Sequence, residues 1–108
     1  MERFVRFSTL PGFGHLIPEA DGLVREAFRI LEQMGPHIEE EDREVERRLR
    51  LTSRSRSELA MEVWIEGLPL RKCAADFYSV LVRIDAFRAE HPQISIGNLP
   101  WEQRGSVA

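Results

Sequence analysis

The sequence predicts a mainly α-helical protein, and three observations support this prediction. Apolar residues recur at helical spacing along the last third of the chain. Proline and glycine residues stand at the ends of that stretch and of earlier ones, and charges in the middle of the chain run from acidic to basic. We expect a small bundle of three to four helices in a single domain, residues 1–108, with an arm at 1–17, a hinge at 52–57 and a tail at 93–108.

The arm at residues 1–17 alternates weakly and then breaks at Pro11–Gly14, which contains one proline and two glycines. A short strand over Arg3–Thr9 fits this alternation. The first helix is expected over residues 18–34, because Pro18 suits the first helical position and acidic residues follow it.

The second helix is expected over residues 36–51, because the Gly35–Pro36 pair is typical of the end of a helix. Acidic residues fill its first turns and arginines its last, which is the order that the helix macrodipole favours. Only Ile38, Val45 and Leu49 form an apolar line, so this helix should lie on the surface.

Residues 56–66 fit two structures. Alternating apolar and acidic residues are typical of a half-buried strand, and such a strand over 58–66 could pair with residues 3–9 in an α+β fold. However, Ser55-x-x-Glu58 is a capping box, and Gly67 stands where a helix would stop. We favour a helix over 56–66, because both of its ends carry matched signals, and keep the α+β fold as the alternative.

The longest helix is expected over residues 69–90. Its apolar stripe advances in steps of three and four over about 33 Å, through Leu70, Cys73, Phe77, Val80, Ile84, Phe87 and His91. Such a stripe must be covered by other helices, by a second copy or by a partner. Because the core of so short a chain is small, we expect a homodimer. The residues expected at the dimer or partner interface are Leu70, Phe77, Val80, Leu81, Ile84 and Phe87.

Composition excludes several classes of protein. The net charge is −3 and there is one cysteine, so an intramolecular disulfide framework is excluded. No apolar run approaches the ~20 residues of a membrane span, and the N-terminus lacks the apolar core of a signal peptide. We therefore expect a cytoplasmic protein without a membrane partner.

Residues that could carry chemistry are few. The three histidines lack the spacing of metal ligands, and the glycines near position 12 lack the lysine of a phosphate-binding loop. Cys73 lies on the apolar stripe, where burial makes a thiol unreactive. We therefore expect no catalytic, metal or cofactor site, and do not expect an enzyme.

An arginine cluster is the most distinctive predicted surface: Arg47, Arg48, Arg50, Arg54 and Arg56. Closely spaced cations suit nucleic-acid phosphates or an acidic protein surface. Acidic residues lie just upstream, and no aromatic residue lies among the arginines to stack on a base, so a protein partner is favoured. Trp64 and Trp101 join this predicted partner-binding surface, because Trp and Arg are enriched at binding hot spots.

The sequence thus predicts a small protein-binding regulator of the adaptor, antiactivator or inhibitor type. It would act by stoichiometric association with another protein, as a homodimer and without a cofactor. The alternative is a nucleic-acid-binding regulator that uses the Arg47–Arg56 cluster.

Overall fold

The structure is a computed structural model of the chain and describes residues 5–102. It confirms the mainly α-helical fold. Within this range the main elements are strand β1 (Arg6–Thr9), helix α1 (Ile17–Leu51), helix α2 (Arg56–Glu66), helix α3 (Leu68–Glu90) and strand β2 (Ile94–Gly97). The chain forms two compact units. The helical unit consists of residues 26–81, and the terminal unit combines residues 5–25 with 82–102.

Helix α1 is continuous over 35 residues, so the predicted separation into helices 18–34 and 36–51 is wrong. Pro36 lies inside it, although proline removes a hydrogen bond and crowds the carbonyl group four residues earlier. Glu32, which contributes that carbonyl, is exposed, so water can reach it. Apolar residues are buried on both sides of the proline, Ile30 and Val45 among them. Packing therefore holds both stretches in one helix.

The α2 segment is a helix, as we favoured from its end signals. The Ser55 hydroxyl accepts a hydrogen bond from the backbone N–H of Glu58 at 3.3 Å. At the other end, the Gly67 N–H donates to the carbonyl groups of Val63 and Trp64. The alternative of a strand over residues 58–66 is therefore wrong.

In the helical unit, α1 and α2 are joined by residues 52–55, a shorter connection than the predicted hinge at 52–57. A small cluster of buried residues forms between these helices: Val45, Leu59 and Val63, with Leu49 packed against them. Val45 and Leu49 belong to the apolar line that the sequence predicted. Ile38, the third member, is 44% exposed.

In the terminal unit, β1 pairs antiparallel with β2, from Arg6 opposite Gly97 to Thr9 opposite Ile94. The strand predicted over Arg3–Thr9 therefore exists over Arg6–Thr9, and its proposed start lies outside the described residues. Its partner is the predicted tail instead of residues 58–66. Ile94 and Ile96 face the same side of β2 and are buried, which accounts for the pairing.

The chain after β2 is held by Leu99, which is 1% exposed. Arg88 adds polar contacts: it donates to the Ile96 carbonyl at 2.8 Å and to the Glu102 carboxylate at 2.7 and 2.9 Å. Trp101, which we predicted on the partner-binding surface, is half-buried. The buried anchor of this segment is therefore the leucine two residues earlier.

Candidate protein-interaction surface

The apolar stripe of α3 is largely covered within the single chain. Leu70, Val80, Ile84 and Phe87 are all buried, with at most 7% of their surface exposed. Phe77 and Leu81 of the same predicted interface are half-buried. The single chain therefore already covers four of the six residues that we predicted at a dimer or partner interface, and the interface itself stays a prediction.

Arg48 lies at the centre of a network of ion pairs in the helical unit. Its Nε donates to Glu44 at 2.7 Å within α1, and its Nη1 donates to Glu62 at 3.1 Å and Glu66 at 2.8 Å on α2. Arg47 donates to both carboxylate oxygens of Glu44. The network therefore fastens α1 to α2 beside the small apolar cluster.

The arginines after α1 are paired as well. Arg54 donates to Glu62 at 2.5 Å and to Glu58 at 3.4 Å. Arg56 forms an ion pair with Glu46. Arg50 is the one member of the predicted cluster without an ion pair among the described residues. Most arginines of the cluster therefore form ion pairs with carboxylates of their own chain.

Sequence reasoning did not match these arginines with their acceptors on α2. A usable signal was present, because Glu58, Glu62 and Glu66 recur every four residues and so share one face of a helix. Which side of α1 that face would meet depends on the direction of the 52–55 connection, and this direction is visible only in the folded chain.

A cleft of about 480 Å³ lies between α1 and the junction of α2 with α3. Glu41 and Glu44 line it, and the pKa values of their carboxyl groups are shifted in opposite directions. Arg47 and Arg48 donate hydrogen bonds to Glu44 and lower the pKa of its carboxyl group to about 2. Burial, reinforced by the neighbouring charge of Asp42, raises the pKa of Glu41.

The exposed apolar residues of α2 form a second feature of the helical unit. Met61 is 60% exposed, Trp64 38%, Ile65 58%, and Leu68 at the start of α3 64%. Their spacing of three, four and seven residues from Met61 places the α2 members on one face, opposite the buried Leu59 and Val63. Helix α2 therefore has an apolar face on each side, and only one of them is covered.

The face of α3 opposite its buried stripe is exposed as well. Its first half carries Arg71, Lys72, Ala75 and Tyr78. Tyr78 is 69% exposed. Arg71 and Lys72 form no ion pair and no side-chain hydrogen bond with any residue in the range 5–102. These two cations therefore differ from the arginines of the predicted cluster, most of which form ion pairs with carboxylates of the chain.

We name these exposed residues the outer strip: Met61, Trp64, Ile65, Leu68, Arg71, Lys72, Ala75 and Tyr78. Both inner faces lie toward α1, because Val63 of α2 and Leu70 of α3 line the same cleft with α1 residues. The outer faces of α2 and the first half of α3 therefore point away from α1. Of the residues predicted to bind a partner, only Trp64 belongs to the strip.

The sequence contained the spacing of the outer strip, but its alternation with glutamates also suggested a strand, and exposure could not be read from it. No helix among the described residues is long and apolar enough to cross a membrane. The search for metal sites finds no group of three or more candidate ligands in residues 5–102. Comparisons with protein-family models, curated proteins and solved structures find no match to this chain.

Proposed function

We propose that this protein is a small regulator that acts by stoichiometric association with another protein through the outer strip. The observation that supports this proposal is the exposure of Met61, Trp64 and Ile65 on one face of α2, together with that of Leu68 two residues beyond the end of α2. Grouped apolar side chains gain free energy when a partner removes them from water. Tryptophan, which lies within the group, is among the residues most enriched at binding hot spots.

The size of this group indicates how far the interface extends. The four side chains are on average about half-exposed, and complete burial of each contributes roughly 1.5–3 kcal/mol, so covering all four yields about 3–6 kcal/mol. Association costs at least about 4 kcal/mol in lost rigid-body freedom. The interface must therefore include more than these four residues, and the α3 part of the outer strip lies next to them.

We further propose that the protein works in the cytoplasm. The sulfur of Cys73 is a free thiol, which a reducing compartment preserves. The predicted homodimer stays a prediction, and a second copy is the other protein that could cover the outer strip. A contact between two copies is better sought on the outer strip than on the inner stripe of α3. The inner stripe is already covered in the single chain, where four of its residues are buried: Leu70, Val80, Ile84 and Phe87.

The alternative of a nucleic-acid-binding regulator has less support than the protein-binding one. Arg48, Arg54 and Arg56 donate to carboxylates of their own chain, so a phosphate would have to displace these partners before binding. Arg71 and Lys72, which form no ion pair with any residue in the range 5–102, lie next to exposed apolar side chains, which is a typical setting for protein recognition.

Affinity capture with the tagged chain from a lysate of its source cells tests the proposal. We expect one stoichiometric protein that is retained after nuclease treatment and is lost with Ile65→Glu. Leu51→Glu is the matched control, because Leu51 is 70% exposed and lies outside the outer strip. Far-UV circular dichroism should show both variants folded.

Two results would contradict the proposal. Equal retention of the partner by both variants would remove the outer strip from the interface. Retained material that disappears with nuclease, and with alanine in place of the arginines of the cluster, would favour the nucleic-acid-binding alternative.

A further inference from the structure

The charges of the outer strip indicate which kind of partner it binds. Residues 67–81 contain two cations, Arg71 and Lys72, and one acidic residue, Asp76. Arg71 acts on Glu41 only as a nearby charge, without a hydrogen bond between the two side chains. Both cations are exposed, so their positive charge is available to a partner at the surface of α3.

We propose that the outer strip binds an acidic amphipathic helix of another protein. This inference rests on the proposed function and names the chemistry of its partner. The strip runs over residues 61–78, along the end of α2, across the non-helical Gly67 and onto the first half of α3. A partner helix would place an apolar face on Trp64, Ile65 and Leu68 and carboxylates beside Arg71 and Lys72.

The position of the cations argues against a second copy as the partner. Arg71 and Lys72 lie close to the middle of the 61–78 range. In a two-fold symmetric pair of strips, the middle of one strip meets the middle of the other. The two Arg71 and two Lys72 side chains would then be brought close together, and like charges that face each other across an interface oppose association. An acidic helix instead supplies the missing carboxylates.

The glutamates at the opposite edge of the strip are engaged within the chain. Glu58, Glu62 and Glu66 border the α2 part, and each of them is ion-paired with Arg48 or Arg54. The two arginines offset part of the negative charge of these three glutamates, while Arg71 and Lys72 supply the positive charge on the α3 part of the strip.

Two synthetic helical peptides of about 18 residues test the inference with the full chain. They share the same leucine face and differ only in their flanking residues, which are glutamates in one and lysines in the other. Fluorescence anisotropy of the labelled peptides gives the two dissociation constants. We expect the acidic peptide to bind roughly three- to tenfold more tightly at low salt, and the difference to shrink at about 0.5 M salt.

Charge reversal on the strip should reverse this preference. The variant Arg71→Glu/Lys72→Glu is expected to bind the lysine peptide more tightly than the glutamate peptide. The control Arg29→Glu/Arg43→Glu makes the same change in net charge at exposed positions of α1. It should keep the preference of the unmodified chain, because those residues lie outside the strip.

The possible results separate this inference from the proposed function. Equal binding of both peptides, or an equal effect of the two double variants, would overturn the acidic partner. A dimer in sedimentation experiments that Ile65→Glu dissociates would also overturn it and identify a second copy as the occupant. The proposed function would fail separately, through captured protein that is unaffected by Ile65→Glu.

Discussion

At the scale of single residues, the contact between Glu41 and Gly67 shows how closely α1 approaches the α2–α3 junction. A Cβ atom at Gly67 would overlap Oε2 of Glu41 and lie 3.1 Å from the carbonyl oxygen of Val63. The backbone of Gly67, with φ of −81°, needs no left-handed conformation. Space at Gly67 is therefore limited by the Val63 carbonyl oxygen and by the flexible end of the Glu41 side chain, and not by a need for unusual backbone rotation.

Gly67→Ala should lower the free energy of unfolding by roughly 1–3 kcal/mol, because the added methyl group displaces the Glu41 carboxylate. Urea unfolding measures the effect. Gly22→Ala is the matched control: no atom lies within 4 Å of the added Cβ, and alanine in a helix should add about 0.5–1 kcal/mol. An equal response of the two variants would contradict the close contact.

The two cleft carboxylates predict opposite pH dependences of stability. Glu44 has a folded-state pKa of about 2 against an ordinary 4.5, so its ion pairs stabilise the fold above pH 4.5. That contribution is lost as the pH falls from 4.5 towards 2. Glu44→Gln should therefore be less stable than the unmodified chain at neutral pH, with the difference disappearing in acid. Thermal unfolding across this pH range is the measurement.

Glu41→Gln should show the reverse sign. Because burial raises the pKa of Glu41, its ionised form destabilises the fold at neutral pH, and protonation relieves this as the pH falls. The variant should be more stable than the unmodified chain at neutral pH, and the gain should vanish in acid. The same sign of change for both glutamine variants would contradict the different environments of the two carboxylates.

At the scale of elements, α1 continues through a dipeptide that usually ends a helix. Gly35 and Pro36 together disfavour helix formation by several kcal/mol on the scale of isolated helices, about 1 for glycine and 3 for proline. Buried residues on both sides offset that cost in the folded chain. Replacing Pro36 with a residue that favours the helix should therefore stabilise the protein.

Pro36→Ala should raise the free energy of unfolding by roughly 1–3 kcal/mol, since it restores a donor to the helix interior and removes the ring from the carbonyl of Glu32. Pro18→Ala is the matched control, because Pro18 stands in the first turn of α1, where no donor is needed. Thermal denaturation compares the two. A destabilised Pro36→Ala variant would indicate that the helix is interrupted there.

Helix α2 shows how one element of 11 residues can have three different faces. Leu59 and Val63 pack inward, the row from Glu58 to Glu66 forms ion pairs with arginines, and Met61 with Ile65 remains exposed. Little apolar area secures this helix, so its ion pairs and its Ser55 cap matter more than they would in a larger core.

At the scale of the whole molecule, the chain distributes its apolar residues between covered and exposed surfaces. Ile84 is 1% exposed and Ile65 58%, although both are isoleucines at apolar positions of helices. Ile84→Ala should cost about 2–5 kcal/mol of stability, because it leaves a cavity. Ile65→Ala should change stability by less than about 0.5 kcal/mol. Chemical denaturation distinguishes them, and similar losses would place Ile65 in the core.

The helical class, the α2 cap at Ser55 and the extent of α3, to within about one residue, could be read from the amino-acid sequence alone. These features depend on local chemistry: the spacing of apolar residues, the hydrogen bond of a capping hydroxyl and the stop at Gly67. Such interactions involve residues a few positions apart, so the amino-acid sequence is sufficient to identify them.

Four features emerge only from the folded chain: the continuity of α1, the pairing of β1 with β2, the partners of the arginines and the location of the outer strip. Each depends on residues distant in sequence: burial on both sides of Pro36, two isoleucines near the end of the chain, and glutamates across a connection. Local propensities of about 1–3 kcal/mol are readily outweighed by packing summed over many contacts. Exposure, unlike periodicity, is a property of the whole fold, so the proposed interaction surface can be located only in the folded chain.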